Sequence, residues 1–288
     1  MYGLGSDDSH SYTMVLYPSS TEESDAAAYI IAVGYDGTRK KVYAKSNLKK
    51  GLTANRFYTI ESTNRGNALS CGTGTSINQS GEISWNLLRE AKASSANVIW
   101  YLESDGDKTY LYNPQSNSYF TGIAEKEVTS LCAKKDAPAW TLVSVDENKG
   151  TYTINMSGTN QYVNAYNETK TGLWSGGASD ANNIWRIEQV KSVTVNIPAA
   201  GYYSGCYPFA LELPDGIKAY FIAETKTMEY DGTNYDYAVL DLIEGNTVPA
   251  YMPVIYAGNS GNHTVTLKPD YDFKLTADNK LYGTTLKK

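Results

Sequence analysis

Between Arg56 and Val190 one unit is written three times, and this repetition restricts the possible folds more than any other feature of the chain. Each copy ends in a tryptophan within a short apolar run: Asn97-Val98-Ile99-Trp100-Tyr101-Leu102, Pro138-Ala139-Trp140-Thr141-Leu142-Val143 and Asn183-Ile184-Trp185-Arg186-Ile187. The tryptophans lie 40 and 45 residues apart. A period of roughly 40 residues is the mark of units that bury their apolar faces only against one another.

The openings of the copies agree as well. Copy one begins Phe57-Tyr58-Thr59-Ile60 and continues Arg65-Gly66-Asn67-Ala68-Leu69-Ser70-Cys71; copy two begins Thr109-Tyr110-Leu111-Tyr112 and continues Asn117-Ser118-Tyr119-Phe120-Thr121-Gly122. Copy three begins Thr151-Tyr152-Thr153-Ile154 and continues Gly158-Thr159-Asn160-Gln161-Tyr162-Val163-Asn164. Strand, polar turn and second strand follow one another each time, which predicts a hairpin, then a loop, then the Trp-bearing strand. Three such units can close around a shared axis with Trp100, Trp140 and Trp185 in the interior. A propeller of similar period needs more copies and Trp-Asp pairs, which these runs lack.

Residues 56–190 resemble the ricin-B-like β-trefoils. The resemblance implies a β-trefoil fold and carbohydrate binding. It departs from the family at Gln-x-Trp, where Val98, Pro138 and Asn183 stand two positions before the tryptophans.

The flanks divide the chain into residues 1–54, 55–190 and 191–288. Residues 1–8 are expected to be loose. Ser11–Pro18, Ala28–Tyr35 and Lys41–Ala44 read as strands, the last two joined by the turn dipeptide Asp36-Gly37. They are similar to the closing strands of a fimbrillin-like or immunoglobulin-like sandwich, which implies a partial β-sandwich remnant. Ile83–Ala93, with Trp85, reads as a short helix or an added loop interrupting copy one.

After Val190, short alternating runs at Ser192–Pro198, Ile217–Ile222, Tyr237–Leu242, Val248–Tyr256 and His263–Leu267 predict a second all-β domain, a sandwich. Gly201-Tyr202-Tyr203, Leu213-Pro214-Asp215-Gly216-Ile217-Lys218-Ala219-Tyr220 and Val248-Pro249-Ala250-Tyr251-Met252-Pro253 are similar to an accessory β-sandwich of secreted proteins from gut Gram-negative bacteria. That resemblance implies an extracellular or bacterial cell-surface setting. It also implies a truncated last domain, and so a fragment of a larger secreted protein.

The 25 Tyr and 24 Gly against 2 His suit pleated surfaces and turns, so the fold class expected is all-β. A net charge of −6 and the lack of a basic stripe disfavour nucleic acid. No run approaches the roughly twenty apolar residues of a membrane span. Cys71, Cys132 and Cys206 have no second Cys or His at ligand spacing, so buried free thiols are expected and no metal or other cofactor is called for. His10 and His263 fall in different domains, no Gly-x-Ser-x-Gly is present, and Asp105-Gly106-Asp107 lacks the remaining ligands of a calcium loop. Catalytic residues are therefore not assigned, and a non-enzyme is expected.

A sugar site needs less: one exposed aromatic ring beside a few amides or carboxylates. Copy three supplies them. Trp174 stands in the glycine-rich Gly172-Leu173-Trp174-Ser175-Gly176-Gly177, expected as a loop, with Asn164, Tyr166 and Asn167 before it and Asp180 and Asn182 after it. Copy two offers Asn113, Gln115, Asn117 and Tyr119. The expectation is a non-catalytic, lectin-like module whose partner is a glycan, set in a larger secreted or surface protein. The alternatives are an adhesin-like or structural spacer, and an accessory region of a glycoside hydrolase.

Overall fold

The computed structural model describes residues 51–71, 96–123, 128–166 and 171–269, with 279 and 281, and the backbone of a few short strands outside these ranges. His10, Asp36-Gly37, Trp85 and Asn167 lie outside the described residues. The N-terminal backbone forms an antiparallel sheet of β1 (Tyr2–Gly3), β2 (Thr13–Leu16), β3 (Tyr29–Val33) and β4 (Arg39–Tyr43) in sequential order. Tyr2 and Gly3 thus belong to a strand, paired with Leu16 and Val15, where a loose end was expected.

Copy one comprises β5 (Phe57–Ser62), β6 (Ala68–Leu69), β7 (Ser76–Ile77), β8 (Ile83–Ser84), β9 (Leu87–Leu88) and β10 (Trp100–Asp105). β7 and β8 form a separate two-stranded ribbon, so the described part of the interruption is strand, β8 and β9, and its other residues lie outside the described ones. Copy two comprises β11 (Lys108–Asn113), β12 (Ser118–Ile123), β13 (Val128–Cys132) and β14 (Trp140–Asp146). Copy three comprises β15 (Thr151–Met156), β16 (Gln161–Asn164), β17 (Gly172–Ser175) and β18 (Ile184–Gln189).

The first and last strand of each copy build a six-stranded ring. β5 pairs with β10 and β18, β10 with β11, β15 with β14 and β18, and β11 lies beside β14 to complete it. The middle strands pair within their own copy, β6 with β9, β12 with β13 and β16 with β17. A barrel of six strands with three paired extensions is a β-trefoil. Gly106, at φ 64°, lets Asp105 and Lys108 face each other across the tightest of its turns.

The interior repeats as faithfully as the strands. Trp100, Trp140 and Trp185 are fully buried, with Tyr58, Ile60, Leu102, Leu111, Leu142 and Ile154 around them. Each indole Nε1–H donates to a backbone carbonyl of its own copy's hairpin: Trp100 to Leu69 at 2.9 Å, Trp140 to Phe120 at 3.3 Å and Trp185 to Val163 at 2.8 Å. The tryptophan therefore ties the barrel to each hairpin and satisfies a polar ring atom in an otherwise apolar core.

Residues 190–269 form two facing four-stranded sheets. One takes the order β19 (Ser192–Ile197), β26 (Gly261–Leu267), β21 (Leu211–Glu212), β24 (Thr247–Val248). The other takes the order β20 (Tyr202–Gly205), β25 (Val254–Ala257), β22 (Lys218–Tyr230), β23 (Thr233–Leu242). Alternate residues Val193, Val195 and Ile197 are buried while their neighbours face out, as expected for a sheet with one dry face. The run Val248–Tyr256, expected as one strand, is broken between β24 and β25, where Tyr251 takes φ 59°.

The sandwich core extends into the trefoil: Phe57 and Ile99 join Phe209, Leu211, Val254 and Tyr256. Beyond Ile222 the β22–β23 ribbon leaves the sheet, and its exposed far part carries Met228, Tyr230, Tyr235 and Tyr237 on one face.

Cys71 is buried, whereas Cys132 and Cys206 are half-buried, short of the burial expected for all three. Burial pushes the Cys71 thiol from 9.0 up to about 12. Desolvation likewise raises Tyr58, Tyr207 and Tyr256. A group whose folded pKa lies above its unfolded one supports the fold fully below the unfolded value and stops doing so as pH rises through the folded value. Urea unfolding at stepped pH should therefore give a stability that, through these groups, falls above about pH 9. Replacing any one of Trp100, Trp140 and Trp185 by Phe should cost about 1–3 kcal/mol, since each loses a buried hydrogen bond to its hairpin carbonyl; one silent position among the three would break the equivalence.

Candidate saccharide site on the third repeat

The Trp185 hydrogen bond to Val163 fixes β16, and β16 fixes the site. Val163 and its cross-strand partner Leu173 point into the core, so Tyr162 and its partner Trp174 share the opposite face. Trp174 is thus held in strand β17 and not in the loop expected from its glycines. Its ring is nonetheless 44% exposed.

Gly176 follows at φ 143°, a backbone conformation that side chains rarely adopt. A Cβ placed there would lie 3.5 Å from Asp180 Cβ and 3.8 Å from Trp174 Cδ1, so ring and carboxylate flank the same glycine. Gly177, at φ 52°, lies over the Tyr162 ring. The short turns Gly177–Ser179 and Ala181–Asn183 then return the chain to β18.

A buried amide network holds this loop. Asn164, only 5% exposed, donates through Nδ2 to Asn183 Oδ1 at 2.8 Å and to Asp180 Oδ2 at 3.2 Å. Asn183, fully buried, donates in turn to the Gly177 carbonyl at 3.0 Å. Asp180 Oδ1 accepts from the Asn182 backbone N–H at 2.9 Å, and Asn182 Oδ1 accepts from Asn64 Nδ2 at 2.8 Å. Asn164 and Asn183 therefore position; the groups facing solvent are Trp174, the 60% exposed Tyr166 and the half-buried Asp180.

Tyr162, Asn183 and Asn64 were not singled out from sequence. Asn183 stands where the other copies have Val98 and Pro138, a signal that was available. Tyr162 required the strand register, and Asn64 comes from the neighbouring copy.

Among the described residues the other copies do not repeat this arrangement. The carbonyl that Trp140 binds belongs to Phe120, which makes Tyr119 the counterpart of Tyr162 and its partner Cys132 the counterpart of Trp174. In copy one the same count reaches Ala68 and Leu88. The copy-two amides also serve structure: Asn113 is buried and donates to the carbonyls of Asn97 and Ile99, and Gln115 is buried. Asn117 accepts from the Tyr112 hydroxyl at 2.8 Å. Among the described residues no three His, Cys, Asp or Glu side chains gather as metal ligands, and no helix is long and apolar enough to cross a membrane.

No family model matches the sequence, and no curated protein matches it. Among solved structures, the chain is similar to a Macrolepiota procera ricin B-like lectin in complex with lactose, at 17% identity and a TM-score of 0.38, over 48% of this chain and 99% of that one. A Polyporus squamosus lectin bound to a sialylated trisaccharide epitope matches at 14% identity and a TM-score of 0.37, over 50% of this chain and 52% of the other. Cry35Ab1 matches at 10% identity and a TM-score of 0.37, over 76% and 89%. The trefoil assignment rests on the closed barrel and the three indole hydrogen bonds described above.

Asn183→Ala should cost about 1–3 kcal/mol of stability, because it removes both hydrogen bonds of the fully buried Asn183 side chain and leaves the Asn164 amide and the Gly177 carbonyl tied only to Asp180. Hydrogen exchange should report the change locally, with faster exchange at the Asn182 and Asn183 amides than in the parent.

Proposed function

We propose that the chain is a non-catalytic carbohydrate-binding module whose site is the third-repeat surface of Trp174, Asp180, Tyr166 and Asn182, positioned by Asn164. The observation that carries the reading is the partly exposed Trp174 beside Asp180, in the copy where the buried Asn164 of the hairpin bonds the buried Asn183 of the following turn. A pyranose stacks its apolar face on an indole, and a carboxylate accepts its hydroxyls. Stacking on one ring is worth roughly 1 kcal/mol by analogy with aromatic pairs. Single-site affinity is therefore weak, which suits display on an extracellular or cell surface where repeated contacts add up. Such a setting, as part of a larger secreted protein, belongs to the same proposal.

A second reading, an adhesin-like spacer that contacts protein, is favoured by the projecting β22–β23 ribbon with Met228, Tyr230, Tyr235 and Tyr237 exposed on one face. The two readings separate in a titration of the whole chain with neutral mono- and disaccharides, followed by tryptophan fluorescence. Saturable quenching that weakens about 5- to 10-fold in Trp174→Ala, with the melting temperature held, is expected for the sugar site. Unchanged fluorescence across the panel, or Trp174→Ala lowering stability by about 3 kcal/mol or more as a core tryptophan would, would refute it.

A further inference from the structure

We infer that the seam between trefoil and sandwich is a second saccharide site, one that neither domain could form alone and that is independent of Trp174. A cleft of 370 Å³ opens there, lined on the trefoil side by Phe57, Tyr101, Glu103, Tyr112 and Tyr119 among others, and on the sandwich side by residues that include Phe209, Tyr251 and Lys268. Its size falls in the range of small-ligand pockets, roughly 300–1,000 Å³, and domain junctions are where such pockets concentrate.

The walls are fixed before any ligand arrives. Tyr251 holds φ 59°, an unfavourable conformation for a bulky residue, and this carries its ring across the seam. Its hydroxyl donates to the Pro114 carbonyl at 2.6 Å and meets the Tyr112 hydroxyl at 3.0 Å. On the far wall the Tyr119 hydroxyl donates to Glu103, whose other oxygen accepts from Lys134 at 2.6 Å. The Tyr112 and Tyr119 rings lie 4.9 Å apart and tilted, so aromatic faces and phenol oxygens alternate along the cleft.

Counting protons identifies the ligand chemistry. Tyr112 is within bonding distance of Asn117 Oδ1 and Tyr251, and Tyr251 of Pro114 O: three contacts between oxygens served by two phenolic protons. The Tyr119 proton is committed to Glu103. Around Tyr112 and Tyr251 the acceptors therefore outnumber the protons, and this part of the cleft takes a molecule that brings hydroxyl protons together with an apolar face. A cation would also donate, but Lys268 lines the same cleft and Lys134 already neutralises Glu103. A neutral pyranose satisfies both conditions. Desolvation raises the pKa of Tyr112, Tyr119 and Tyr251, so all three phenols stay protonated at neutral pH.

The test uses the whole chain carrying Trp174→Ala, with tyrosine rings isotope-labelled, titrated separately with glucose, galactose, mannose and N-acetylglucosamine, and with tetramethylammonium as the cationic probe. Saturable shifts of the Tyr112, Tyr119 and Tyr251 ring signals with at least one sugar are expected. Tyr112→Phe, which keeps the ring and removes the hydroxyl, should weaken that binding about 3- to 10-fold, and Glu103→Gln should weaken it with the melting temperature unchanged. No saturable shift with any of the four sugars, or a response to tetramethylammonium alone, overturns the inference. Failure of the third-repeat site shows separately, as absent tryptophan quenching in the parent protein, and leaves this result standing.

Discussion

Three indole N–H groups, each bonded to a backbone carbonyl of its own hairpin, are the constraint on which the trefoil depends. A six-stranded barrel this small is filled by side chains, and large rings fill it with the least loss of conformational freedom. An indole in that position carries a polar atom into a dry core, where leaving it unpaired costs free energy. Directing it to the hairpin carbonyl solves two problems at once. The ring nitrogen is satisfied, and the hairpin is held at a fixed height against the barrel. The same requirement explains why tryptophan, and not phenylalanine, recurs at all three places.

That tie also transmits position outward. Because Trp185 holds the carbonyl of Val163, the flanking Tyr162 and Asn164 are set on the side away from the core. Asn164 is then placed to bond Asn183 and Asp180, and these close the loop around Gly176.

The repeat was legible because its signal is local: apolar alternation, a turn and a tryptophan recur within each forty-odd residues, and each copy reads without knowledge of the others. The third-repeat surface was legible in part, since Trp174 sits among glycines and amides within twenty residues of sequence. Its placement on a strand was not, because cross-strand pairing with Tyr162 shields one edge while leaving the face open, and glycine content alone reads as loop. The seam was invisible for a different reason. Tyr112 and Tyr251 are 139 residues apart, and nothing in either local pattern announces the other. The strand at Tyr2–Gly3 was missed likewise, because its pairing with Val15 and Leu16 overrides a polar, glycine-bearing context.

The departures from threefold symmetry matter more for function than the symmetry does. A repeat that only builds a core can keep its buried positions alike and let its outer positions drift. Here an exposed position and a buried one both differ in kind: the exposed Trp174 and the buried Asn183 in copy three correspond to Cys132 and Pro138 in copy two and to Leu88 and Val98 in copy one. Val98 and Pro138 have no side-chain donor or acceptor, so neither can anchor a loop against its hairpin as Asn183 does. Copy two instead turns Tyr112 toward the sandwich, where it meets Tyr251, while Tyr119 bonds Glu103 of copy one beside it. One copy thus faces solvent with an ordered loop, another is committed to the neighbouring domain, and the shared tryptophan tie lets the two diverge without disturbing the barrel between them.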